Sequence, residues 1–342
     1  MTVPRPVPPA PQGSAAPTPP LDASVGPERV PWRAVAVFVL VACGLAWLVA
    51  TPLWTGDGAD SPLFAPLAAV MMWTPAAAVL IVTLVLRTPA RDRLRALGIR
   101  PLRPVRRTLG LTALGLVAPV AVVAATTLLA GALGLVDLDL VGLSGFAAQV
   151  EGALPAGTAM PPVGVLLAAQ LLAIPFAALV NSLVAFGEEV GWRGWLLPAL
   201  LPLGTWPALL VSGAVWGLWH APLVLLGYNF ERTDVTGVLL MVGGCVAWGV
   251  LLGWLRLRSA SLWPAVVAHG SLNAVGALVL LLVAAGHTPD MAVAGPLGLV
   301  AWGVLAAVAV VLVATGQLGV RPAPGPATAA VPAPGSPSTP AG

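Results

Sequence analysis

Apolar residues run through this chain in long blocks separated by short polar stretches. Eight blocks approach or exceed the roughly 20 residues an α-helix needs to cross a bilayer. They lie at about 34–54, 63–86, 108–131, 163–187, 207–227, 237–255, 264–285 and 295–316. Several contain Pro or Gly, which membrane helices tolerate because neighbouring groups re-satisfy the freed backbone. The pattern predicts an all-α fold, a polytopic membrane helical bundle with about eight transmembrane helices. The flanks, 1–30 and 319–342, are rich in Pro and Ala without hydrophobic period, and are expected to be disordered tails around a transmembrane domain at 31–318. No internal repeat is visible.

Composition sharpens this picture. Of the 342 residues 58% are hydrophobic and 8% charged, whereas soluble domains carry about 25% charged residues. The solvent of most of this surface is therefore the lipid bilayer. All 16 basic residues are Arg, which fits a GC-rich and hence bacterial source. The basic excess does not indicate nucleic acid, because the Arg residues cluster beside apolar blocks, as membrane orientation requires. Cys43 and Cys245 lie inside apolar blocks, where a thiol acts as a small hydrophobe, and no disulfide is expected.

Loop charge predicts the orientation. Arg87, Arg91, Arg93, Arg95, Arg100, Arg103, Arg106 and Arg107 lie between the second and third blocks, half of all Arg in one short loop, so that loop is expected to be cytoplasmic. Loops 55–62 and 132–162 carry acids and no Arg and fall outside. Arg193, Arg256 and Arg258 fall inside; Arg232 is the single exception. Both termini come out cytoplasmic, in a multi-pass cell-membrane protein.

Against this apolar background a few residues stand out. Of the 13 acidic residues only the adjacent Glu188 and Glu189 lie at the end of a span, and His220 and His269 lie within spans. A charge at the bilayer centre costs about 2.5–3.5 kcal/mol even on lenient scales. Glu189 and Arg193 are four apart and can pair on one helical face. Glu188 is rotated away by about 100° and must find its partner on another helix. His269 and Asn273, also four apart, project together. The depths of these residues agree only if the fourth helix runs on past Glu188 and the fifth starts late or tilts.

These residues fall into three motifs. Gly187-Glu188-Glu189-Val190-Gly191-Trp192-Arg193 resembles the EExxxR motif of the CPBP family, the CAAX-protease and bacteriocin-processing (Abi) membrane enzymes. Trp216-Gly217-Leu218-Trp219-His220 resembles its second motif, with Trp216 where Phe is usual, and His269-Gly270-Ser271-Leu272-Asn273 resembles the third, HxxxN. The resemblance covers about 163–285. It implies an intramembrane endopeptidase of glutamic type, acting on a peptide or membrane-protein substrate; bacterial members are linked to bacteriocin processing, self-immunity and other processing, and the resemblance does not choose among these. Glu188 would be the base, His220 would help hold and activate water, His269 and Asn273 would stabilise the oxyanion, and Glu189 and Arg193 would support Glu188. No cofactor is implied, although Glu188, His220 and His269 also form a His₂Glu set that zinc could use.

The chemistry is consistent with that expectation. Amide hydrolysis needs a base, oxyanion donors and an acid for the leaving amine, and these side chains suffice. Two other readings use the same residues: a proton-coupled transporter, which predicts corresponding broken helices in two halves, and a catalytically silent immunity or scaffold protein. The peptidase reading predicts that Glu188, His220, His269 and Asn273 converge on one cytoplasm-facing cavity. Trp192, Trp195, Trp206, Trp219 and Trp263 read as interfacial anchors, with Trp216 a packing residue beside His220. Gly142-Leu143-Ser144-Gly145 is expected to be a turn.

Overall fold

The structure, a computed structural model, describes residues 26–102, 104–155 and 157–318. The two Pro-rich tails lie almost wholly outside the described residues. Among the described residues seven helices are long and apolar enough to cross a membrane. They are α1 (Trp32–Trp54), α2 (Phe64–Val85), α3 (Val105–Ala132), α5 (Val163–Leu203), α7 (Val235–Ser259), α8 (Trp263–Leu282) and α9 (Met291–Ala314). Between them lie α4 (Ser144–Ala153) and α6 (Thr205–Trp219). α6 coincides with the fifth predicted block but is only 15 residues long. It ends earlier than 227 because the chain turns at His220 into the short helix Ala221–Val224, with Pro222 in its first turn.

The fourth helix runs well past 187. The segment after Glu188 holds no Pro until Pro198, so the helix continues, but not as a uniform α-helix. Val163–Glu189 is α-helical, Val190–Leu196 is a π-helical segment, and Leu197–Leu200 is α-helical again. Pro202 and Gly204 then end it. Gly204 has φ +102°, a conformation open to glycine and strained for other residues, and it reverses the chain into α6. Glu188 lies sixteen residues before Gly204 (204 − 188) and His220 sixteen after (220 − 204). The hairpin therefore brings both to one level, which meets the depth condition.

α8 is the centre of the packing. It runs between α3 and α5, while α7 packs along α6 and also touches α8 and α9. The α5–α8 contact is close because of Gly270, where a Cβ would stand 2.4 Å from the Ala178 carbonyl oxygen. That approach sets His269, the preceding residue, against α5.

The Arg-rich loop closes the same end of the bundle as the α5–α6 and α7–α8 turns. Arg256 donates to the carbonyl oxygens of Arg193 (3.1 Å) and Ala96 (3.0 Å), and the Leu262 amide to that of Gly98 (2.8 Å). Trp195 and Trp263 donate their indole N–H groups to the Thr88 and Ile99 carbonyls in this loop. Trp192, Trp195 and Trp219 are buried, at 0%, 4% and 2% exposure, rather than anchored at a lipid interface. An indole buried in an apolar bundle needs an acceptor for its N–H, and each of these has one.

Candidate active site

α5, α6 and α8 bring their polar residues to one cavity of about 620 Å³, lined by Glu188, Trp216, His220, His269 and Asn273 among others. The four residues expected to carry the chemistry thus converge. Glu188 and Glu189 are 2% and 0% exposed, and Arg193 and His269 2% and 4%. Charges so deeply buried persist only when paired and hydrogen-bonded, and the two carboxylates achieve this differently.

Glu188 Oε2 accepts from the indole Nε1–H of Trp216 at 2.6 Å and from that of Trp192 at 3.2 Å. A bond to a charged acceptor is worth about 1.5–3 kcal/mol, and here both donors lie in rigid aromatic rings. Glu188 lines the cavity; Glu189 lies behind it. Glu189 Oε1 accepts from Arg193 Nη1 at 2.7 Å and from His269 Nδ1 at 2.9 Å. Arg193 also stands 4.1 Å over the Trp216 ring, a cation–π contact. Glu189 Oε2 is buried without a partner among the described residues.

The hydrogen bonds define the histidine tautomers. His220 Nδ1 lies 2.9 Å from the Trp216 carbonyl oxygen. A carbonyl only accepts, so Nδ1 carries the proton and Nε2 of the neutral ring is an acceptor. His269 Nδ1 likewise donates to Glu189. Its Nε2 donates only when the ring is protonated. A protonated His269, with Arg193, would bring the charge of the two carboxylates to zero. The His269 ring packs edge-on to Trp216 at 5.3 Å, and the His220 ring edge-on to Trp219 at 4.7 Å. Asn273 is exposed to the cavity one helical turn beyond His269.

The π-helical segment starts one residue after Glu189 and contains Trp192 and Arg193. Such segments are often found at functional sites. Here two i, i+4 pairs, Glu188–Trp192 and Glu189–Arg193, lie side by side.

Trp192 is a direct partner of Glu188 on the same helix, not an interfacial anchor, so Glu188 is not left to other helices alone. Trp216 is buried beside His220 as expected, with ring centroids 5.9 Å apart, and in addition donates to Glu188. The sequence signal for Trp192 was its i+4 position from Glu188, the same spacing that identified Arg193 as the partner of Glu189. Glu189 and Arg193 pair with each other as their spacing predicted, and reach beyond the pair to His269 and to the Trp216 ring. The cavity lining includes Phe64, Tyr228, Asn229, Phe230, Ala277 and Met291, at the end opposite the Arg-rich loop, and Ala65, Ala68, Met72, Asn181 and Val184 along the spanning lengths of α2 and α5.

Glu188, His220 and His269 all face this cavity, but among the described residues no three His, Cys, Asp or Glu side chains are grouped so as to hold a metal ion. Ser144 begins α4 in a loop turn, its amide bonded to Asp139 and its hydroxyl accepting from the Ala285 amide, remote from the cavity.

Residues 170–275 match the model of the family described as Type II CAAX prenyl endopeptidase Rce1-like. The matched segment contains all three motifs and agrees with the resemblance they carry. No curated protein and no solved structure matches the chain. The chain is a multi-pass membrane protein with a segment typical of a membrane peptidase family.

Proposed function

We propose that this protein is an intramembrane endopeptidase of glutamic type, in which Glu188 activates water. The observation that carries the reading is the convergence of a buried cavity-lining carboxylate, two histidines and an amide from three helices on one cavity.

In this mechanism a water molecule between Glu188 and His220 gives a proton to the Glu188 carboxylate as its oxygen attacks the scissile carbonyl carbon. Neutral His220 accepts the water's second hydrogen at Nε2 and so orients it. The carbonyl electron pair moves to oxygen, where Asn273 Nδ2–H and protonated His269 Nε2–H receive it. A preorganised donor of this kind is worth about 3–4 kcal/mol in the transition state. Collapse of the intermediate breaks the C–N bond, and the proton held by Glu188 passes to the leaving amine. The products are a carboxylic acid and an amine, and the acid then gives its proton to the amine or to water. Trp192 and Trp216 hold the base, and Glu189 holds His269 with Nε2 directed away from itself, as a carboxylate does for an imidazole in other hydrolases.

The test is cleavage of a proteome-derived peptide library by purified protein in detergent, with and without a chelator, beside Glu188→Ala. Cleavage that survives the chelator and is lost in the variant supports the reading. Loss on chelation with recovery on zinc moves the chemistry to a metal. Cleavage undiminished in Glu188→Ala overturns Glu188 as the base.

A further inference from the structure

We infer that Asn181 is a substrate-binding residue, whose side-chain carbonyl accepts a main-chain N–H of a peptide lying extended along α5, about three residues from the scissile bond. The inference rests on the endopeptidase reading and adds to it a residue outside the three motifs.

From α5 the cavity is lined by Asn181, Val184 and Glu188. Spacings of three and four residues put all three on one face of the helix. Glu188 is the buried end of this stripe, while Asn181 and Val184 are half-buried. The facing wall is α2, which gives Ala65, Ala68 and Ala69 to the same cavity. α2 and α5 run side by side in the same direction. A Cβ on Gly187 would stand 2.7 Å from the Met72 carbonyl oxygen, and one on Gly191 would stand 2.5 Å from Pro75 Cβ. Counted back from that contact, Asn181 (187 − 181 = 6) and Ala65 (72 − 65 = 7) lie at about one level. Alanine side chains are too short to fill the space between the two helices, and the cavity extends through it.

The Asn181 amide is only half engaged. Its Nδ2 donates to the Ala177 carbonyl oxygen, one turn back, at 2.9 Å. A carbonyl only accepts, so this bond fixes the amide with nitrogen toward its own helix and Oδ1 away from it. No group among the described residues donates to Oδ1. Ser182, the next residue, makes the same backward bond to Ala178 at 2.7 Å, but it is buried against Gly270 of α8. Asn181 faces the cavity instead. A peptide in an apolar cavity carries main-chain N–H groups that are costly to leave unsatisfied. Ala65, Ala68 and Ala69 offer them no side-chain acceptor, and Asn181 Oδ1 does.

The spacing sets where on the substrate this contact falls. Asn181 precedes Glu188 by seven residues (188 − 181), which is about 10 Å along the axis at 1.5 Å per residue. Both side chains lean toward the helix N-terminus, so their tips keep about this separation. An extended chain rises about 3.3 Å per residue, so a peptide whose scissile carbonyl is at Glu188 meets Asn181 about three residues away. The contact is to backbone and is blind to side chains. It selects conformation: a segment still folded as a helix has its N–H groups bonded to its own carbonyls and gains nothing from Asn181.

The test uses peptides cleaved by the purified protein in detergent. Each is remade with one amide N–H at a time replaced by an ester oxygen, which removes the donor and keeps the shape. With the wild-type protein, one ester about two to four residues from the scissile bond is expected to raise KM about three- to tenfold with kcat nearly constant, the size of one neutral hydrogen bond. With Asn181→Leu, the all-amide peptide is expected to show the same rise, and that ester to cost nothing further. Esters at other positions should cost the variant what they cost the wild type. Coupling confined to one position marks a direct contact, which a structural role for Asn181 would not produce. Losses that multiply independently in the variant overturn the inference. So does a wild-type scan without effect at those positions, and that arm does not depend on how Asn181→Leu folds. Glu188-dependent cleavage with either of these outcomes keeps the peptidase reading. Absence of Glu188-dependent cleavage of every all-amide peptide removes that reading and the inference with it.

Discussion

The two halves of α5 have similar apolar character and opposite surroundings. From 163 to 177 no residue is buried; from 187 to 200 every residue is. The first half meets lipid and carries no charge. The second carries Glu188, Glu189 and Arg193 and is enclosed by protein. A bilayer core supplies no hydrogen-bond partners, so ionised side chains at this depth survive only where neighbouring helices provide them. The cluster exists because α6 and α8 deliver Trp216 and His269 to the buried half.

The sharpest way to break this contrast is Glu188→Gln. It keeps the shape and removes the base, and general-base catalysis contributes about 10²–10⁴-fold. Cleavage is expected to fall by that factor while the thermal unfolding midpoint in detergent changes little. A large loss of folding instead would make Glu188 structural.

Glu189→Gln should act on stability as well as rate. It leaves Arg193 buried without its anion, and breaking a buried pair in this way costs about 3–5 kcal/mol. Thermal unfolding is expected to shift down, with partial recovery when Arg193→Gln is combined with it. An unchanged midpoint in the single variant would show that the pair does not stabilise the bundle.

Asn273→Ala removes one oxyanion donor. The expected loss is about 10²–10³-fold in kcat, with KM and folding nearly constant; a change confined to KM would assign Asn273 to substrate binding. Trp216→Phe, which removes the shortest bond to Glu188 and keeps the ring, should cost about tenfold or more in kcat from one charge-assisted hydrogen bond. The same change at a residue that merely packs would leave the rate untouched. At the other extreme, Leu172→Ala lies on the lipid half, where Leu172 is 81% exposed. Surface changes of this kind stay within about 0.5 kcal/mol, and both folding and cleavage should be unaffected.

Much of this was readable in the sequence. Apolar block length gave the helical class and the approximate number of helices, because span length follows from bilayer thickness and helix rise. The site candidates were legible because buried acids and histidines are costly and rare, and because i, i+4 spacing reports what one helix can bring together. The Glu189–Arg193 pair is the clearest case.

What lay beyond the sequence depends on contacts between helices. The Trp216–Glu188 bond spans 28 residues and the Glu189–His269 bond 80, and no local period reports such distances. The indoles illustrate this: a Trp has the same apolar body at a lipid interface and in a core, and only the position of its N–H acceptor distinguishes the two. The cavity was likewise decided in three dimensions. Arg counts mark the ends of the bundle, but which residues line the cavity depends on which helices pack together, and that follows from the continuation of α5 through Gly187–Leu200 and its reversal at Gly204.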